Sequence, residues 1–133
     1  MDNQIRQYLN KGHIDADRGV ENCAGNEALY LRLLRKFAGD PHYGDFARDV
    51  EQGELEKAER SSHSLKGVSG NLGMNGLYEA VRELNSCLKP TEPTGEPKAQ
   101  WPPDAATVAA LTAAARSEYA LALETIGGLE NLG

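Results

Sequence analysis

From residue 54 onward, apolar and small residues recur with helical spacing. Leu55, Ala58, Ser62, Leu65, Ser69 and Leu72 stand at alternating steps of three and four, and Met74, Leu77, Val81, Leu84 and Leu88 repeat the rhythm. That alternation keeps one helix face turned to a core, so the two runs predict an antiparallel helical hairpin turning at Gly73. Upstream, Asn26 can cap a helix whose Leu29, Tyr30, Leu33, Leu34 and Phe37 form a wide stripe ending near Gly39. Asp40 followed by Pro41 opens a further short helix through Tyr43, Phe46 and Val50, stopped by Gly53. Residues 15 to 24 carry a weaker helical signal. After residue 103, Asp104 caps a last helix in which Val108, Leu111, Ala115, Tyr119, Ala122 and Ile126 face inward before Gly127 and Gly128. Four main helices with shorter ones predict an all-α fold: an up-and-down four-helix bundle with a short additional N-terminal helix.

One stretch interrupts the pattern. Five of the six prolines fall in KPTEPTGEPKAQWPP, residues 89–103, where fixed φ angles and missing amide donors rule out helix and sheet. A loop of that length inside a bundle is either mobile or pinned at its far end by Trp101. The expected organisation is an N-terminal extension over 1–13, the bundle over 14–128 with the 89–103 loop inside it, and a tail over 129–133.

Composition narrows the picture. The chain has 133 residues, enough for one core. Alanine and leucine number 33 against 8 valines and isoleucines, which argues against a sheet. A net charge of −6 would repel a phosphate backbone, so nucleic acid is excluded as an expected partner. No apolar run approaches the length of a membrane span and the start lacks the pattern of a secretory signal, so no membrane insertion and a cytoplasmic location are expected. Cys23 and Cys87 stand far apart without a nearby histidine cluster, which suits reduced thiols rather than a zinc site.

Residues 54–72, ELEKAERSSHSLKGVSGNL, break a local rule. Two interior glycines, Gly67 and Gly70, each cost a helix about 1 kcal/mol relative to alanine. Counted from Leu65, His63 points about 160° away from the core direction. An exposed imidazole therefore has Lys66 one turn ahead and side chains deleted at two positions beyond it. A histidine that gives and receives a phosphoryl group needs an exposed ring nitrogen, a cation within a turn, and no bulk where a partner approaches. His63, Lys66 and Gly67 supply the three in order. A solvated helix face that carries a histidine and two glycines is the plainer alternative.

HSLKGVSGNLG, residues 63–73, resembles the signature of the histidine-containing phosphotransfer (HPt) domain, H-x-[LI]-K-G-x-[SA]-x-x-[LIV]-G, with every specified position filled. Residues 14–39 are similar to the opening of HPt domains at the ends of bacterial hybrid sensor kinases, and the likeness extends over about 14–126. The resemblance implies a four-helix bundle with His63 as phosphoacceptor and donor, Lys66 near the phosphoryl group, and Gly67 leaving room for a response-regulator receiver domain. The proline-rich insertion departs from the family, which usually has a shorter connection there. Arg60, Gly70 and Asn85 are accessory candidates. With Val81 as core direction, Tyr78, Asn85 and Lys89 share one flank of their helix, and an amide there could hydrogen-bond the imidazole or simply face water.

The function implied is a phosphorelay carrier that exchanges a phosphoryl group between His63 and receiver aspartates, with Mg²⁺ on the partner and no cofactor of its own. The alternatives are a receiver-docking module that carries no phosphate, and the phosphoacceptor domain of a chemotaxis-type histidine kinase. Intact His63 and Lys66 weigh against the first, and the hybrid-kinase-like opening against the second. A histidine kinase in the same polypeptide is compatible with the sequence; a monomer is expected. No glycine-rich nucleotide loop is present, so the domain is not expected to phosphorylate itself from ATP. Glu59 and His63 stand four apart, but no paired Glu-x-x-His motifs accompany them, so no metal is expected. His13 and His42 read as surface histidines without a role.

Overall fold

In the computed structural model, which describes residues 1–132, the helices are α1 (Asn3–Lys11), α2 (Ala16–Asn22), α3 (Glu27–Lys36), α4 (His42–Glu51), α5 (Leu55–Asn71), α6 (Asn75–Leu88) and α7 (Ala105–Gly127). Short 3₁₀ turns follow α3 and α7. Among the described residues there is no strand, only an isolated bridge between Thr91 and Pro97. α5 packs most extensively on α6 and then on α4, and α6 packs on α7. The ring closes where Tyr43 of α4 stacks on Tyr119 of α7 at 3.7 Å between centroids, with Phe37 edge-on to the same tyrosine. The fold is the expected all-α bundle, and the inward stripes form one core that includes Tyr30, Phe46, Leu65, Val81, Leu84 and Ile126.

Asn26 and Asp104 cap α3 and α7 as the sequence predicts, whereas α4 starts one residue later than expected, with Pro41 at the cap and Asp40 just before it. The Asn26 side chain accepts from Leu29 N at 2.9 Å, Asp40 from His42 N at 2.8 Å, and Asp104 from Ala106 N at 3.3 Å. Gly73 turns the α5–α6 hairpin at φ +72°, and a Cβ there would lie 2.2 Å from the carbonyl oxygen of Asp15. Only glycine fits that corner. The Gly73 carbonyl in turn accepts from Asp15 N at 2.7 Å, which fixes the start of α2 against the hairpin.

Two regions differ from expectation. The first thirteen residues contain α1, started by Asp2, whose carboxylate accepts from Gln4 N at 2.6 Å. Leu9 is fully buried, and the Tyr8 hydroxyl donates to the Thr125 carbonyl at 2.7 Å, so α1 seals the end of α7. In the 89–103 loop, Trp101 is exposed and does not pin the chain. Lys98 does: its ammonium donates to the Ser86 carbonyl at 2.6 Å, at the open C-terminal end of α6, and lies 5.9 Å from the Trp101 ring centre. A cation among the last carbonyls of a helix is favourable in itself. Leu129 is buried, which ties the 3₁₀ turn after α7 to the core; Gly133, last in the expected tail, lies outside the described residues. Among the described residues no helix is long and apolar enough to cross a membrane.

Candidate functional site

α5 divides into two faces. Ala58, Ser62, Leu65 and Ser69 are buried, while His63 and Gly67 are exposed on the opposite side and Lys66 is half-buried between them. The buried serines turn their hydroxyls onto their own helix, Ser62 to the Glu59 carbonyl at 2.9 Å and Ser69 to the Leu65 carbonyl at 2.8 Å, so neither is left unsatisfied.

The three histidines are in different states of engagement. His13 Nδ1 lies 2.9 Å from the Glu118 carboxylate and His42 Nδ1 lies 2.5 Å from Asp40. The ring of His63 makes no hydrogen bond among the described residues. It opens into a groove of about 660 Å³ shared with Lys66, Gly67 and Gly70 of α5, Tyr78 of α6 and Arg18 of α2. Lys66 makes no ion pair among the described residues. A free ring nitrogen and a free ammonium one turn apart can together receive an anionic electrophile. Among the described residues, no group of three His, Cys, Asp or Glu side chains gathers as a metal site.

The two glycines have separate causes. A Cβ on Gly67 would meet nothing within 4 Å, so that position is bare toward solvent beside the imidazole. A Cβ on Gly70 would come 3.0 Å from the Tyr78 ring, so Gly70 admits an aromatic side chain from α6. Both glycines line the groove, but Gly67 is open surface while Gly70 also makes an interhelical contact.

Two further accessory candidates are placed differently from expectation. Asn85 is buried, and its amide is turned away from the imidazole. Nδ2 donates to the Glu59 carbonyl and to Ser62 Oγ, each at 2.9 Å, so it bridges α6 to the turn of α5 that precedes His63. It neither orients the ring by direct contact nor faces water. The reason is its inward flank: a carbonyl and a hydroxyl oxygen of α5 lie within reach, each able to accept one more hydrogen bond, and a buried amide donates to them. Arg60 is exposed, paired with Glu56 at 3.2 Å, and lines a different groove, between α4 and α5, with Lys57 and Arg48. What the sequence missed is the wall supplied by α2, where Arg18 and Asn22 face the site. No local signal marks them, because it is the tertiary seat of α2 on the hairpin that brings them there.

Residues 27–125 match the family model described as Hpt domain, a span that holds α3 to α6 and most of α7 and includes the His63 groove except its α2 wall. No curated protein and no solved structure matched the chain. With the fold, the exposed histidine and the family match in agreement over most of its length, the chain belongs to the Hpt domain family, a family of histidine phosphotransfer in phosphorelays whose members are phosphocarriers rather than catalytic kinase domains.

Proposed function

We propose that His63 is the phosphoacceptor and donor of this domain and that it exchanges its phosphoryl group with the aspartate of response-regulator receiver domains in the cytoplasm. The observation that carries the reading is the unengaged ring of His63, exposed beside an unpaired Lys66 and the bare backbone of Gly67. On uptake, an unprotonated ring nitrogen attacks the phosphorus of a receiver's aspartyl phosphate. The N–P bond forms as the bond to the aspartyl oxygen breaks, and the electron pair leaves on the carboxylate. Lys66 faces the phosphoryl oxygens and offsets their charge, while Mg²⁺ and the remaining catalytic groups belong to the receiver. Gly67 supports the reading through close approach, because a partner's backbone can lie against α5 where no side chain stands. The functional unit proposed is the bundle over 14–128 with α1 packed on its end, and a histidine kinase in the same polypeptide is one source of phosphate compatible with it.

The test is labelling by a panel of phosphorylated receiver domains from the source organism. Wild type should take up phosphate as an acid-labile, alkali-stable phosphoramidate, and His63→Gln should take up none while remaining folded. Equal labelling of the two would overturn the assignment. Binding of receivers without labelling of wild type would favour the docking module instead.

A further inference from the structure

The segment that matches the family begins at residue 27, yet one wall of the His63 groove is built from residues before it. α2 is seated firmly enough to act as a wall. The Asn22 amide donates to the Asn71 carbonyl at the end of α5 at 3.0 Å, and Asp15 N donates to Gly73 O at 2.7 Å. Gly19 lies against the ring of Tyr30, whose hydroxyl donates to the Leu72 carbonyl at 2.8 Å. These contacts tie α2 to the last turn of α5 and so hold Arg18 across the groove from the phosphotransfer residues.

Arg18 is free to act outward. Its backbone N–H is taken by the Asp15 carboxylate at 3.1 Å, but its guanidinium makes no hydrogen bond or ion pair among the described residues. The charged side chains lining the groove, besides His63, are Arg18, Lys66 and Glu79, and Glu79 is already paired with Arg82 at 2.8 Å. Two uncompensated cations therefore flank the exposed imidazole in a chain of net charge −6. Such a groove attracts an anionic surface and resists a basic one. A guanidinium is also suited to a carboxylate through paired N–H donors.

We infer that Arg18 is a specificity-determining residue: its guanidinium meets a carboxylate on the docking receiver and selects partners that carry an acidic side chain at that place. The inference rests on the phosphocarrier reading of His63. It assigns Arg18 to recognition of the partner and Lys66 to the phosphoryl group.

The experiment takes the receivers that label wild type and measures KM and the single-turnover transfer rate at saturation, from low to physiological salt. Arg18→Ala should raise KM on the order of fivefold at low salt, the upper range for an exposed ion pair, and flatten its salt dependence. Arg18→Glu should raise KM further and Arg18→Lys should restore part of the loss. Arg35→Ala removes the same charge from exposed α3, outside the groove, and should leave KM within twofold of wild type. Thermal melts should coincide for wild type and Arg18→Ala. If wild type is labelled and Arg18→Ala matches it in KM at every salt, the inference about Arg18 is overturned and the phosphocarrier reading stands. An equal rise in KM for Arg35→Ala would assign the effect to net charge and overturn it too. A slower rate at saturation with unchanged KM would place Arg18 on the phosphoryl group rather than the partner. If no receiver labels wild type at His63, both readings fall.

Discussion

Substituting alanine at Gly67 and, separately, at Gly70 distinguishes a glycine kept for a partner from one kept for packing. Both lie within α5, so each variant gains the helix propensity of alanine, about 1 kcal/mol in a helix interior. At Gly67 nothing opposes that gain, since the new methyl group would meet no atom within 4 Å. Unfolding entropy of about 2.1 cal/mol/K per residue, taken over 133 residues, makes 1 kcal/mol worth about 3.5 °C in Tm. Gly67→Ala should therefore melt about 3 °C above wild type. At Gly70 the methyl would stand 3.0 and 3.2 Å from two ring carbons of Tyr78, and the position is in the last turn, where propensity counts for less. Gly70→Ala should melt at or below wild type. Calorimetry of the three proteins at one pH gives the comparison, and phosphotransfer completes it: Gly67→Gln should be as stable as wild type or more so, yet transfer phosphate more slowly because the bare patch beside His63 is filled. Equal melting shifts at the two positions would refute the separation. A stabilised Gly67→Gln with undiminished transfer would refute the close-approach argument.

Lys66→Ala should lower the transfer rate at saturating receiver by at least tenfold while leaving receiver affinity within twofold, measured by rapid quench and by titration; an unchanged rate would reduce Lys66 to a solvated helix residue. Asn85→Ala removes two 2.9 Å hydrogen bonds from acceptors on α5 and should cost about 1–3 kcal/mol in denaturant unfolding; a loss of less than 0.5 kcal/mol, on the order expected for a surface change, would show that the bridge contributes little. Burial, aided by the charges of Asp15 and Cys23, raises the Tyr30 phenol well above its ordinary value of 10.0, so the folded state keeps a proton that the unfolded state loses. Its contribution to stability is thus complete below about pH 10 and declines as pH rises toward the folded value, and Tyr30→Phe should be less stable near neutrality but show a shallower alkaline decline in unfolding free energy. An unaltered alkaline slope in Tyr30→Phe would assign that decline to Tyr43 and Tyr119, whose phenols burial also raises.

The helices that carry the core were legible because their stripes are local. Leu65, Val81 and Ala115 each sit on a run whose spacing points to one face, and capping residues mark the starts. The same local arithmetic put His63 on the outer face of α5, where the structure has it. α1 was also legible in principle, with Asp2 as cap and Ile5 and Leu9 four apart, but nine residues make a weak periodic signal. The partner of Asn85 was not legible, for a different reason. Helical phase gives the flank of α6 on which Asn85 stands, but not which acceptor on α5 lies opposite. Once the helices pack, the Glu59 carbonyl and Ser62 hydroxyl are within 2.9 Å and the imidazole is not its partner. Arg18 and Trp101 show the same limit, since the direction of each depends on how a short helix or a proline-rich loop meets the bundle.

That division has a physical basis in how a phosphocarrier must be built. The group that takes the phosphoryl has to be reached by partners in turn, so it cannot be enclosed, and the surroundings that would normally hold a catalytic ring are left off. In this chain the two histidines with carboxylate partners, His13 and His42, lie elsewhere, and the one with none lies in the groove. Stability is supplied from the other side of α5 through Ala58, Ser62, Leu65 and Ser69, with Asn85 fastening the turn below His63 to α6. Because the inner face holds the helix, the outer face can carry a bare glycine, a free lysine and an unengaged imidazole without loss of the fold. Substitutions on the two faces should consequently affect different measurements, the inner ones unfolding and the outer ones transfer.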